Sequence, residues 1–324
     1  MPPAMATGMR ASAPVLHLLP GMTPSPISRP PISKDALQEA TARRLDAFNR
    51  WRLSPTVEPP APSSDELESS LLRLELAFLE EQRAAVRARA AQAPTESGAF
   101  VAWFEALEND GPGQGDPLFE FLESRATLQE MTWVLRQEVA GEAGFEDLVA
   151  LTQVKMPPRA KLELARNYWD EMGQGHASGM HGPMLSRLAD ELGIGHPEGS
   201  DVVWPSLALA NAMVAMAAHR RYAFHSVGAL GVIELTAPGR AKRINAGLKR
   251  LGVAGEARRY FALHATLDVK HSEAWNREVL FPLVAEDPRR ALPIAEGALI
   301  RLAAGARCFE RYRQELSRDA MAAE

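Results

Sequence analysis

The stretch HATLDVKH places His264, Asp268 and His271 at positions i, i+4 and i+7. On a helix turning about 100° per residue, these side chains fall within a sector of roughly 60°. Two imidazoles and a carboxylate on one stripe make a hard-to-borderline donor set, suited to iron, manganese or zinc. Phe261, Leu263, Leu267 and Trp275 surround the stripe, so it borders apolar surface. An unpaired aspartate buried there costs several kcal/mol unless it is protonated, paired or bound to a cation. Spacing alone serves a second reading equally well: core histidines hydrogen-bonded to Asp268.

A second cluster adds weight to the metal. In NYWDEMGQGHASGMHGPML, Glu171 closes one expected helix and His181 opens the next. The glycines between them let the chain bend, so a carboxylate and an imidazole can converge; the same segment also suits an ordinary helix–helix loop. Glu142, in VAGEAGFEDLV, falls on the helical side of Val139, Phe145 and Val149. Glu234 continues the row Ala223, Val227, Leu230 within ALGVIEL. Either could instead be a helix-end residue reaching solvent, since Glu138 and Glu146 flank Glu142 and Pro238 follows Glu234. Together these residues make four carboxylates and three histidines from several helices, the inventory of a carboxylate-bridged di-iron site in a helical bundle. The Glu-x-x-His pairs of ferritin-like proteins are missing, which disfavours a ferritin.

The elements that must position these groups read as helices. The chain of 324 residues has a net charge of −5 and no strongly basic face, so nucleic acid is an unexpected partner. The run Arg240, Lys242, Arg243, Lys249, Arg250 reads as a solvated helix face. A single cysteine, Cys308, excludes an intramolecular disulfide and a thiolate cage. No apolar run is long enough for a membrane span, and VLHLLP is too short for a signal sequence, so a cytoplasmic protein is expected. Residues 1–63 read as a proline-rich leader with a possible short helix from Lys34 to Arg52. An all-α domain is expected over 64–320. It begins with a long helix capped by Ser64, with Leu67, Leu71, Leu74 and Phe78 as its apolar stripe. Further helices are predicted over 117–137, 138–154, 158–172, 180–193, 203–236, 239–252, 256–280 and 287–316, broken at Pro or Gly.

HATLDVKH, the preceding NYWDE…MH and GVIEL resemble the haem-oxygenase-like di-iron oxidases, a family of iron-containing redox enzymes, over roughly residues 125–315. The resemblance implies an all-α haem-oxygenase-like bundle of about seven core helices, with extra N-terminal helices and no haem. It implies two ferrous ions, with His264, Asp268 and His271 as ligands from one helix. Glu171 and His181 would join them from an earlier helix and the loop after it. The family's early glutamate maps to Glu142, with Glu138 or Glu146 a turn away, and only some members use the glutamate corresponding to Glu234. The implied reaction consumes O2 as co-substrate with an unidentified electron donor. It would be N-oxygenation, desaturation or oxidative C–C cleavage of a small amino-acid-like or fatty-acid-like substrate. Two rivals stand beside it: a self-modifying oxidase that releases a small aromatic product, and a non-catalytic helical binding module with a vestigial metal site. Arg220 and Arg221 are candidate anchors for a substrate carboxylate. No membrane partner is expected, and a homodimer is compatible with the sequence.

Overall fold

The segment WPSLALANAMVAMAA is apolar on every side and so carries no amphipathic phase; such a helix belongs in the middle of a core. It forms α9 (Trp204–Ala218), with Pro205 to Ala217 buried throughout. The computed structural model describes residues 33–58, 65–142, 144–195 and 201–322, and among these there is no strand. Before α9 come α1 (Lys34–Leu53), α2 (Asp65–Ala90), α3 (Ser97–Asp110), α4 (Pro117–Ser124), α5 (Leu128–Gly141), α6 (Phe145–Thr152), α7 (Pro158–Glu171) and α8 (His181–Glu191). After it come α10 (Ala223–Arg250), α11 (Arg259–Trp275), α12 (Phe281–Glu286) and α13 (Ala291–Ala322). No helix among the described residues is long and apolar enough to cross a membrane.

Several breaks fall where the sequence did not put them. The expected helix over 138–154 is interrupted at Gly144, whose backbone is left-handed, so Glu142 caps the end of α5. The expected helix over 203–236 stops at His219 and restarts after a short 3₁₀ turn, Arg220–Tyr222. Pro238, expected as a stop, sits inside α10. Proline removes one helical hydrogen bond, to the carbonyl of residue i−4, here Glu234. The packing of α10 against α11 and α13 holds the helix through that loss. In α2 the buried face is Glu75, Leu79, Val86 and Ala90, while Leu67 is exposed, so the stripe is rotated from the expected one. The proposed cap Ser64 and the proline-rich residues 1–32 and 59–64 lie outside the described residues.

Buried ion pairs tie the early helices to the core. Arg52 and His219 both meet the buried Glu75, at 2.6 Å each. Arg83 and His225 meet the buried Glu296, at 2.9 Å each. α1 packs on α9, where Asn49 Nδ2 donates to Asn211 Oδ1 at 2.9 Å. α10 and α13 cross at close range through glycines. A Cβ on Gly297 would lie 1.8 Å from the carbonyl oxygen of His225, and one on Gly228 would lie 1.9 Å from that of Ile294. Backbone cannot yield as a flexible side chain does, so Gly297→Ala is expected to cost about 3 kcal/mol. An unchanged urea midpoint for this variant would contradict the crossing.

Candidate metal centre

Four helices supply one polar cluster inside this core. The stripe of α11 brings His264, Asp268 and His271, of which Asp268 and His271 are buried. The last turns of α7 bring Asn167, Asp170 and Glu171; α10 brings Glu234; α8 starts on His181. Between Glu171 and His181 the chain makes two 3₁₀ turns, Gly173–Gly175 and Ala177–Gly179. Gly173 has φ +61°, and a Cβ there would come within 2.3 Å of the Gly179 carbonyl carbon, so the turn requires glycine.

Across that turn Glu171 Oε2 lies 2.6 Å from His181 Nδ1. The two atoms are not placed as a hydrogen bond: His181 Nδ1 is buried without a hydrogen-bond partner. Ligand atoms held about 2.1 Å from one ion sit about 3 Å apart, so two lone pairs brought this close have the spacing of neighbouring ligands. Asp268 Oδ1 is likewise buried without a partner. His264 Nδ1–H donates to the Tyr260 carbonyl at 2.7 Å, which leaves Nε2 with the free lone pair. Its ring stands edge-on to that of His181, centroids 4.6 Å apart. His271 Nε2 lies 3.2 Å from Asp170 Oδ2 and its Nδ1 lies 3.4 Å from Glu234 Oε2. Asn167 Nδ2 donates to Glu234 Oε1 at 2.6 Å and lies 3.2 Å from His271 Nδ1.

Two triads emerge. Glu171, His181 and His264 form one, and Glu171, Glu234 and His271 form the other; in each, the ligand atoms lie within 4.8 Å of one another. Glu171 belongs to both. Asp268 and Glu142 flank the triads, lining one cavity with Glu171, Glu234 and His264. Glu138 lines that cavity too, whereas Glu146 reaches over the start of α8 at Gly182.

Burial sets the protonation of the metal-free cluster. It pushes the Asp268 carboxyl up to about 10, with the charges of Glu234 and Glu171 adding to the shift. Burial, then Glu146 and Glu171, raise Glu142 to about 8. Burial and Glu234 hold Glu171 well above the carboxylate range. Burial lowers His181 and His264 to about 4, so both are neutral imidazoles ready to ligate. For His271 burial acts downward, but contact with Glu234 and Asp170 outweighs it and raises the group to about 9. Neutral histidines and carboxylates without any thiolate suit iron, and the unpartnered atoms of His181 and Asp268 are the ones a cation would satisfy.

The cavity beside the triads measures 120 Å³ and is walled by apolar side chains including Phe145, Leu209 and Met213. Glu142 and Tyr260 are half-buried residues that line it. Arg220 and Arg221, the expected anchors, are not among its walls. Arg220 instead donates to the carbonyls of Leu151 and Thr152, which end α6, and of Val154 just beyond it, and Arg221 is exposed. Arg240, expected on a solvated face, turns inward and lines the cavity with Arg301. The sequence reading missed Asn167 and Asp170. Asn167 sits one turn before Glu171, so the helical period was the signal available.

A family model described as iron-containing redox enzyme matches residues 132–306, which hold all seven candidate ligands. No curated protein matches the chain.

Proposed function

The chain belongs to the iron-containing redox enzymes, with an all-α haem-oxygenase-like fold, and from that premise we propose that it is a di-iron oxidase or oxygenase consuming dioxygen. The observation that carries this reading is the sharing of Glu171 between two triads. One ion would be held by Glu171, His181 and His264, the other by Glu171, Glu234 and His271, with Asp268 and Glu142 completing the set. Ferrous ions, when bound, supply the electrons and open positions with which dioxygen reacts. A haem-free site is supported by the cavity of 120 Å³, below the about 300 Å³ at which drug-sized ligands are enclosed.

The protein's own part is to hold, orient and keep dry. The Tyr260 carbonyl fixes the tautomer of His264, and Asp170 does the same for His271. Asn167 steadies Glu234 by its amide. The apolar walls exclude water from the reacting face and leave room for a small organic substrate, amino-acid-like or with a short acyl body. An electron donor would return the irons to the ferrous state.

One observation favours a second reading, a self-modifying oxidase: the phenol of Tyr260 lines the cavity, its ring 4.2 Å from that of His264. A single experiment separates the possibilities. Protein purified without oxygen is loaded with ferrous iron, its stoichiometry measured, and oxygen admitted while the visible spectrum and the intact mass are followed. The expected result is about two irons per chain, a transient visible band and an unchanged mass. A mass loss confined to the peptide of Tyr260 would favour self-modification. Iron near zero would leave a vestigial site.

A further inference from the structure

Two inward arginines are paired with buried carboxylates: Arg52 with Glu75 and Arg83 with Glu296. Arg240 and Arg301 have no such pair. Both line the cavity beside the candidate ligands, and they share a smaller adjoining cavity with Glu138 and Glu142. Among the described residues neither guanidinium has an ion-pair partner. Arg301 Nε is buried without any hydrogen bond, and Arg240 Nη2 reaches only the Thr236 hydroxyl, at 3.3 Å. Glu138 and Glu142 border the same space without forming an ion pair with either arginine, and Arg240 lies 5.7 Å over the Phe309 ring. Two like charges turned inward with no direct ion pair cost stability, and retaining them makes sense where a ligand supplies a closer anion.

We infer that Arg240 and Arg301 anchor the carboxylate of a small monoanionic substrate, whose compact apolar body lies against Phe145, Leu209 and Met213 facing the candidate metal ligands. The planar forks of two arginines match a carboxylate in two directions. A dianionic phosphate is disfavoured because Glu138 and Glu142 border the same space. The body must be compact, smaller than a benzene ring: a cavity of about 150 Å³ takes benzene, and this one measures 120 Å³. A long acyl chain does not fit it. This assignment names the substrate class of the site proposed above and rests on that reading for the reaction, although not for the binding.

Calorimetry on the iron-free protein tests it with propionate and isobutyrate, their neutral amides, decanoate and inorganic phosphate. At least one short carboxylate is expected to bind one per chain with a Kd of about 1 mM or tighter. Its amide, Arg301→Gln and Arg240→Gln should each weaken binding about tenfold or more, with Arg301→Lys recovering part. Both glutamine variants should melt at a higher temperature than the parent without ligand, because each removes an inward charge that has no direct ion pair; a merely structural arginine would give the opposite. Equal binding of acid and amide, glutamine variants with undiminished binding, preferential binding of decanoate or phosphate, or no saturable binding would each overturn the assignment. Since the protein carries no iron here, carboxylate binding without later iron loading would sink only the oxidase reading, and iron loading without carboxylate binding would sink only this one.

Discussion

Glu171→Ala is expected to remove both irons, whereas His181→Ala leaves about one per chain. The asymmetry follows from membership: Glu171 stands in both triads, while His181 stands in the first alone. Removing a single histidine leaves Glu171, Glu234 and His271 with their ligand atoms within 4.8 Å. Removing Glu171 leaves two histidines on one side and a histidine and a glutamate on the other. Loss of groups that merely orient ligands already costs about 10- to 100-fold, so loss of the shared ligand should reduce oxygen consumption by at least about 100-fold. Stability should move the other way. Glu171 is a carboxyl that burial and Glu234 hold against ionisation, so the iron-free Glu171→Ala protein should melt no lower than the parent. Anaerobic iron titration and thermal melts on the two variants decide the matter. Equal iron loss in both would remove the case for a shared ligand, and a collapse of the iron-free Glu171→Ala protein would make Glu171 a structural residue.

The parts of this site that were legible in the sequence are those governed by local geometry. His264, Asp268 and His271 stand out because the helical period alone puts them on one stripe, and α11 is a single helix over that span. Glu171 and His181 were legible only as a pair that a glycine bend could bring together, since the same glycines also suit an ordinary helix–helix loop. What was not legible depends on partners far along the chain. Arg240 belongs to a basic run that looks solvated, and only the packing of α10 turns this one member inward. Arg301 lies on α13, with no feature in its own neighbourhood to mark it. The end of α9 was missed for a related reason: a helix buried all round carries no phase, so nothing in its sequence marks where the next helix takes over. Pro238 was read as a stop because proline opposes helix locally, yet the neighbours of α10 outweigh one lost hydrogen bond.

Iron-free protein should lose thermal stability as pH rises above about 6.5, while iron-loaded protein holds it. The sign follows from which state keeps more protons. Asp268, Glu142 and Glu171 keep theirs in the folded protein above the range where the unfolded chain has lost them. Raised carboxyls therefore lower stability as pH rises, until Glu142 ionises near 8 and Asp268 near 10. His271, raised to about 9, contributes stability below the ordinary histidine range that is lost as pH rises through 9. His181 and His264, lowered to about 4, work in the opposite direction, but only between 4 and the unfolded value of 6.5. Below 6.5 the two tendencies offset; above it only the loss remains. Even one retained proton gives a slope of about 1.4 kcal/mol per pH unit, or about 2 °C in Tm for a chain of this size. Bound iron displaces these protons and takes over their role, so its loading should release protons and flatten the profile. Melts at several pH values, with and without ferrous iron under anaerobic conditions, measure the difference directly. Asp268→Asn, which cannot ionise, should remove part of the iron-free slope. A flat iron-free profile would mean that these carboxyls are solvated in solution, and a solvated cluster would not hold iron in the arrangement proposed.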